Sequence, residues 1–121
     1  MNFWNTIVDA YDKQFDLETV CHVENVLDQI PLKFIDLLTD IINTFELELE
    51  IEHNSFFWVQ RKPIYGHYGI YFSFEFEQES TWIYVRILIQ HLNNNELLFA
   101  EKSSDLEYVY QKLKRFIEND F

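Results

Sequence analysis

The sequence predicts an α+β fold: three helices, then an antiparallel sheet of about five strands, then one closing helix. Three observations predict it. Apolar residues recur at a period of about 3.6 residues as far as Phe45, at about two from there to Ala100, and at about 3.6 again from Leu106. Hydrophobic types make up 48% and aromatics 18% of the 121 residues, which fills a core and excludes a disordered chain. Two Gly, two Pro and no internal repeat leave no linker, so residues 1–121 read as a single domain. Helices packed on one face of the sheet bury these stripes economically.

The first helix carries Phe3, Trp4, Ile7, Val8, Tyr11 and Phe15 on one face, with Asn2 placed as its N-cap. Asp16 caps a second helix, whose stripe is Val20, Val23, Leu27 and Ile30. Pro31 marks the start of a third. Phe34, Ile35, Leu38, Ile41, Ile42 and Phe45 form its buried side, and Asp36, Asp40 and Asn43 face away.

From Phe45 to Glu52 apolar and acidic residues alternate without a fault, the pattern of a half-buried strand. His53-Asn54-Ser55 is a turn, and Phe56 to Lys62 is the return strand, which Pro63 ends. Its register stays open: a two-residue loop turns Trp58 to the core, whereas a three-residue loop turns Phe57 and Val59 there. Tyr68 to Glu77 and Thr81 to His91 form a second hairpin around Gln78-Glu79-Ser80. With Glu79-Ser80 as the loop, Phe76 faces Ile83, Phe74 faces Val85, Phe72 faces Ile87 and Ile70 faces Ile89, so one face is wholly apolar. The other face pairs Glu77 with Trp82, Glu75 with Tyr84, Ser73 with Arg86 and Tyr71 with Leu88. Asn93-Asn94-Asn95 turns into a short strand, Glu96 to Ala100. Ser104-Asp105-Leu106-Glu107 reads as a capping box opening the last helix, buried through Leu106, Val109, Tyr110, Leu113, Phe116 and Ile117. Lys112, Lys114 and Arg115 gather toward its C-terminal end, where the helix dipole favours cations.

The sequence carries no catalytic signature. Tyr65-Gly66-His67-Tyr68-Gly69 is neither a phosphate-binding loop nor a dinucleotide fingerprint; it reads as a turn before a strand. Cys21 and His22 are neighbours on a helix and point about 100° apart, so they do not pair as nucleophile and base. Cys21 is expected to be buried and His22 solvated. His22, His53, His67 and His91 share no metal-ligand spacing, although the last three lie near strand ends. Asp36/Asp40, Glu48/Glu50 and Glu75/Glu77 sit on faces that read as solvated, whereas a catalytic carboxylate needs a pocket that raises its pKa, which a sequence does not display. The expectation is a protein that is not an enzyme and holds no metal and no cofactor.

A lone cysteine forms neither an intramolecular disulfide nor a Cys-based zinc cage and suits a reducing compartment. Met1-Asn2-Phe3-Trp4-Asn5 lacks a basic region and a cleavage site, and no apolar run is long enough to cross a membrane. The expected location is therefore cytoplasmic.

Charge is the informative feature. Asp and Glu number 21 against 9 Lys and Arg, giving a formal net charge of −12. Such a field repels phosphate, so direct binding to nucleic acid or to an anionic membrane is not expected. Residues 1–60 hold twelve acids and only Lys13 and Lys33 as bases. Glu46, Glu48, Glu50 and Glu52 are expected on one face of one strand, about 6.7 Å apart, where each neighbouring pair repels by about 0.6 kcal/mol in water. Folding does not require Glu at all four places, and a cationic partner would relieve the repulsion. Glu75 and Glu77 join them from the second hairpin, beside Tyr71, Trp82 and Tyr84 on the same face. Aromatic side chains supply contact area and acids supply steering, so these nine residues are the expected partner-binding surface.

A small, strongly acidic, aromatic-rich chain without a catalytic motif resembles, over its whole length and by profile, the bacterial toxin-immunity proteins of contact-dependent growth inhibition. The resemblance implies an acidic inhibitor that binds and neutralises a basic nuclease-type toxin domain. The partner would then be a basic protein. Phage-encoded inhibitors of host defence nucleases, with carboxylates standing in for phosphates, share the same physics. Type III secretion chaperones are also small acidic α+β proteins, but their usual pattern places a helix between the third and fourth strands, where this sequence has none. A small enzyme or ligand-binding domain would instead show a deep pocket lined by carboxylates or His.

Overall fold

The computed structural model describes residues 3–60, 68–77, 83–91 and 94–120. Three helices, α1 (Phe3–Gln14), α2 (Leu17–Asp28) and α3 (Leu32–Phe45), precede five strands, β1 (Glu48–Glu52), β2 (Ser55–Val59), β3 (Tyr68–Phe76), β4 (Ile83–His91) and β5 (Glu96–Ser103). Helix α4 (Leu106–Asp120) follows. The strands lie side by side in chain order, each antiparallel to its neighbour. This is the α+β architecture that the change of period predicts.

Local chemistry sets the helix ends. Asp16, extended at the N-cap of α2, accepts the Thr19 amide at 3.0 Å. Val20, Val23 and Val26 are weak helix formers, yet all three are buried, and that burial outweighs a propensity cost of a few tenths of a kcal/mol each. Pro31 precedes α3, and the Phe34 and Ile35 amides donate to its carbonyl. Glu46 ends α3 in a left-handed conformation, φ 51°, and the Leu47 amide closes on the Ile42 carbonyl at 3.0 Å. Glu46 therefore does not lie on the strand, which starts at Glu48. Two periods overlap at Phe45, and the buried helical stripe wins, because Phe45 packs with Phe34, Leu38, Ile41 and Ile42 in the core.

At the other end of the sheet sequence, β5 continues past Ala100 to Ser103, with a bulge opposite Ile89 and Gln90. The cap of α4 is Asp105 rather than Ser104. The Asp105 carboxylate accepts the Tyr108 amide at 3.0 Å, and Ser103 Oγ accepts the Asp105 amide. Glu107 does not reach back to the cap; it takes Lys33 Nζ at 2.7 Å and Gln111 Nε2 at 3.0 Å. Because α4 runs to Asp120, Lys112 and Lys114 lie mid-helix, over the rings of Tyr108 and Tyr110 at 5.5 and 6.0 Å. Asn2, Pro63, Gly66, His67, the Glu79-Ser80 loop and Trp82 lie outside the described residues.

The open register resolves to a two-residue turn, His53-Asn54, with Glu52 opposite Ser55. Leu49 then faces Trp58 and Ile51 faces Phe56, so Trp58 is turned to the core and is 2% exposed. The second hairpin has the expected register throughout, from Tyr71 opposite Leu88 to Phe76 opposite Ile83. On the core face Phe56 stacks on Phe74 at 5.3 Å and Trp58 lies 5.0 Å from Phe72. The helices close over these rings: His22 of α2 lies against Phe76, Phe34 of α3 against Phe74, and Phe116 of α4 against Phe99 of β5.

Tyr11 ties α1 to the first turn. Its buried hydroxyl donates one proton shared between the Glu52 and Ser55 carbonyls, at 2.6 and 2.5 Å. Burial, then the nearby Glu52 charge, raises its pKa, so it stays neutral and keeps its proton to donate. Tyr11→Phe is expected to cost about 1–2 kcal/mol, read as a lower Tm in thermal melts, with the ring packing retained.

Two carboxylates carry pH dependence. The Thr19 hydrogen bonds hold the Asp16 carboxyl below its ordinary range, and the Lys33 and Gln111 hydrogen bonds do the same for Glu107. A carboxyl depressed in the folded state stabilises fully above its unfolded pKa, about 4, and loses that contribution as pH falls through the folded value. The Tm advantage of the wild type over Asp16→Asn with Glu107→Gln is thus expected in full at pH 7 and should shrink steadily as pH falls below the unfolded value. Taking the difference removes the acid response of the carboxylates that the two proteins share.

Candidate functional site

All the helix contacts above meet the sheet through one face. The opposite face has no described helix on it, and its exposed positions include Glu48, Glu52, Glu75, Arg86, Ala100 and Lys102. Pairing lays it out in three rows. The first runs Glu48, Val59, Tyr71, Leu88, Ala100. The second runs Glu50, Phe57, Ser73, Arg86, Lys102, and the third Glu52, Ser55, Glu75, Tyr84. Five strands at about 4.8 Å make this face about 24 Å across, on the scale of one side of a small protein interface.

The rows define a gradient. Carboxylates line the β1 edge, half-buried Phe57, Val59, Tyr71 and Leu88 fill the middle, and the cations Arg86 and Lys102 stand on the far side. Phe57 and Tyr71 lie 5.7 Å apart, and Lys102 Nζ sits 4.9 Å over the Tyr84 ring. Ser73, 1% exposed, lies between Phe57 and Arg86 with its hydroxyl unpartnered. At the β1 edge the face continues into an open groove of about 420 Å³ between Glu50, Glu52 and Phe57 and the α1 residues Ala10 and Gln14.

Of the nine expected binding residues, the structure gathers Glu48, Glu50, Glu52, Tyr71, Glu75 and Tyr84 on this face. Glu77 follows β3 and is exposed, Trp82 lies outside the described residues, and Glu46 is removed to the α3 cap. The row of four carboxylates is therefore a row of three. The face is also not uniformly acidic, since Arg86 and Lys102 share it.

Sequence reasoning did not select Phe57 and Val59. The signal was present: Phe56-Phe57-Trp58-Val59 fails to alternate, so whichever register forms, one apolar pair faces outward. More acid sits elsewhere than the strand pattern suggests, because Asp9, Asp12, Asp16, Glu18, Glu24, Asp28, Asp36 and Asp40 all lie exposed on the helical side.

Cys21 is exposed, whereas His22 is half-buried against Phe76 with Nε2 unpartnered, the reverse of the expected orientation. Residue 22 faces the sheet because it shares the α2 face of Thr19, Val23 and Val26. His53 lies in the turn beside Thr19, at 3.4 Å, and His91 at the opposite end of the sheet, so these two do not converge. Among the described residues no three His, Cys, Asp or Glu side chains come together to hold a metal, and no helix is long and apolar enough to cross a membrane.

Fold and face together describe a two-layer α+β protein whose sheet is covered on one side and presents an amphipathic surface on the other. No family model, curated protein or solved structure matches this chain.

Proposed function

We propose that this chain is an acidic, non-enzymatic binding protein that docks a cationic protein domain on the open face of its sheet, as a cytoplasmic immunity protein docks a nuclease-type toxin. The observation that carries this reading is the apolar centre of Phe57, Val59, Tyr71 and Leu88, flanked by Glu48, Glu50 and Glu52. A nuclease surface is cationic because it must hold phosphate, and a carboxylate edge attracts that surface at long range. The aromatic centre then supplies the short-range contact that holds it. β1 is an edge strand, where charge also discourages edge pairing, a role that does not account for the outward-facing apolar centre beside it. The presence of Arg86 and Lys102 on the same face favours a protein interface of mixed charge over a mimic of the phosphate backbone.

The test is capture from host lysate with the wild type and with Tyr71→Ala plus Phe57→Ala as paired baits. A basic protein retained by the first and lost by the second is expected, with nuclease activity that falls on stoichiometric addition of the wild type. A shared partner that ignores both substitutions, or one with no hydrolytic activity to inhibit, would overturn the reading.

A further inference from the structure

A second recess lies on the helical side, away from the sheet face. It is an open groove of about 450 Å³ where α1, α2 and the start of α3 meet. Val8, Leu27 and Ile35 form apolar wall, and Leu32, 71% exposed, stands at its lip. An aliphatic side chain so exposed beside an apolar recess leaves surface that association would bury. Glu24 and Asp28 lie on the α2 side of the groove, one helical turn apart, both exposed. The described ion pair of this layer engages Lys33 with Glu107 and leaves Glu24 and Asp28 without a described cation.

We propose that this groove docks a cationic amphipathic helix from another protein. Its apolar side chains would pack on Leu32 and into the Val8–Leu27–Ile35 wall, and lysines or arginines one turn apart would meet Glu24 and Asp28. Charge complementarity selects the occupant: acids one turn apart match cations at the same spacing on a helix lying alongside. The surface is distinct from the sheet face and does not depend on the function assigned to that face.

A fluorescein-labelled synthetic helix of fourteen residues, with leucines on one side and lysines on the other, is the probe. Fluorescence anisotropy is expected to show saturable binding with a micromolar Kd, weakened at least tenfold by Glu24→Lys with Asp28→Lys. Leu32→Ser should weaken it several-fold, and all three positions are exposed, so the fold is retained. Glu96→Lys with Glu118→Lys makes the same change of net charge at exposed positions outside the groove and should leave the Kd within twofold. Absence of saturable binding overturns the proposal. Equal weakening by the two double reversals also overturns it, since the peptide would then be reading net charge. Neither failure touches the sheet-face reading, which is tested with the captured partner.

Discussion

Glu48→Lys combined with Glu50→Lys is expected to slow association with the cationic partner by about ten- to a hundredfold at low salt. Each reversal adds two charge units, so the formal net charge moves from −12 to −8. The local change matters more than the total. Both residues stand on β1 opposite Val59 and Phe57, at the acidic side of the apolar centre, and reversing them replaces steering by repulsion where the encounter begins. Stopped-flow association at increasing NaCl checks this. The deficit should shrink steeply above about 0.15 M, where the Debye length falls to about 8 Å. Dissociation should change less, because the aromatic centre is intact. An equal reversal at Glu24 and Asp28, on the helical side, should slow this partner far less.

Trp58→Ala is expected to destabilise the fold by about 3–5 kcal/mol, against about 1 kcal/mol for Phe57→Ala, measured by denaturant unfolding. The two residues are adjacent in one strand and similar in hydrophobicity. The difference follows from the turn: with Glu52 opposite Ser55, Trp58 packs on Phe72 and Phe56, whereas Phe57 lies on the open face beside Tyr71. Losing about 4 kcal/mol from a domain whose total stability is about 5–15 kcal/mol leaves it marginal. A three-residue turn would exchange the two outcomes.

The second hairpin was legible because its apolar residues alternate on both strands, so that only one register buries Phe72, Phe74, Val85 and Ile87 together. The first hairpin was not, because Phe56-Phe57-Trp58-Val59 offers an apolar residue to either face and only the turn length decides. Glu46 was misplaced where two valid periods overlap, and packing of Phe45 with the helical core decided between them. At the last helix, Ser104 and Asp105 are both good caps; Asp105 is the one whose carboxylate reaches the Tyr108 amide. Cys21 and His22 changed places because α2 turns the face of Val23 and Val26, rather than that of Leu17, toward the core. Of the candidate site, the Glu48, Glu50, Glu52 row and the Tyr71, Glu75, Tyr84 group could be read from alternation alone. That they share one face required the pairing of β2 with β3, which joins strands across residues 60–67 that carry no alternating pattern.

Chemical-shift mapping of the isotopically labelled protein with its captured partner tests most directly whether the side of the sheet opposite the described helices is the docking surface. The largest changes should fall on Phe57, Val59, Tyr71, Arg86 and Leu88, with the core-facing Phe74 and Val85 shifted little. A stoichiometric complex in which these five resonances stay unmoved would contradict it.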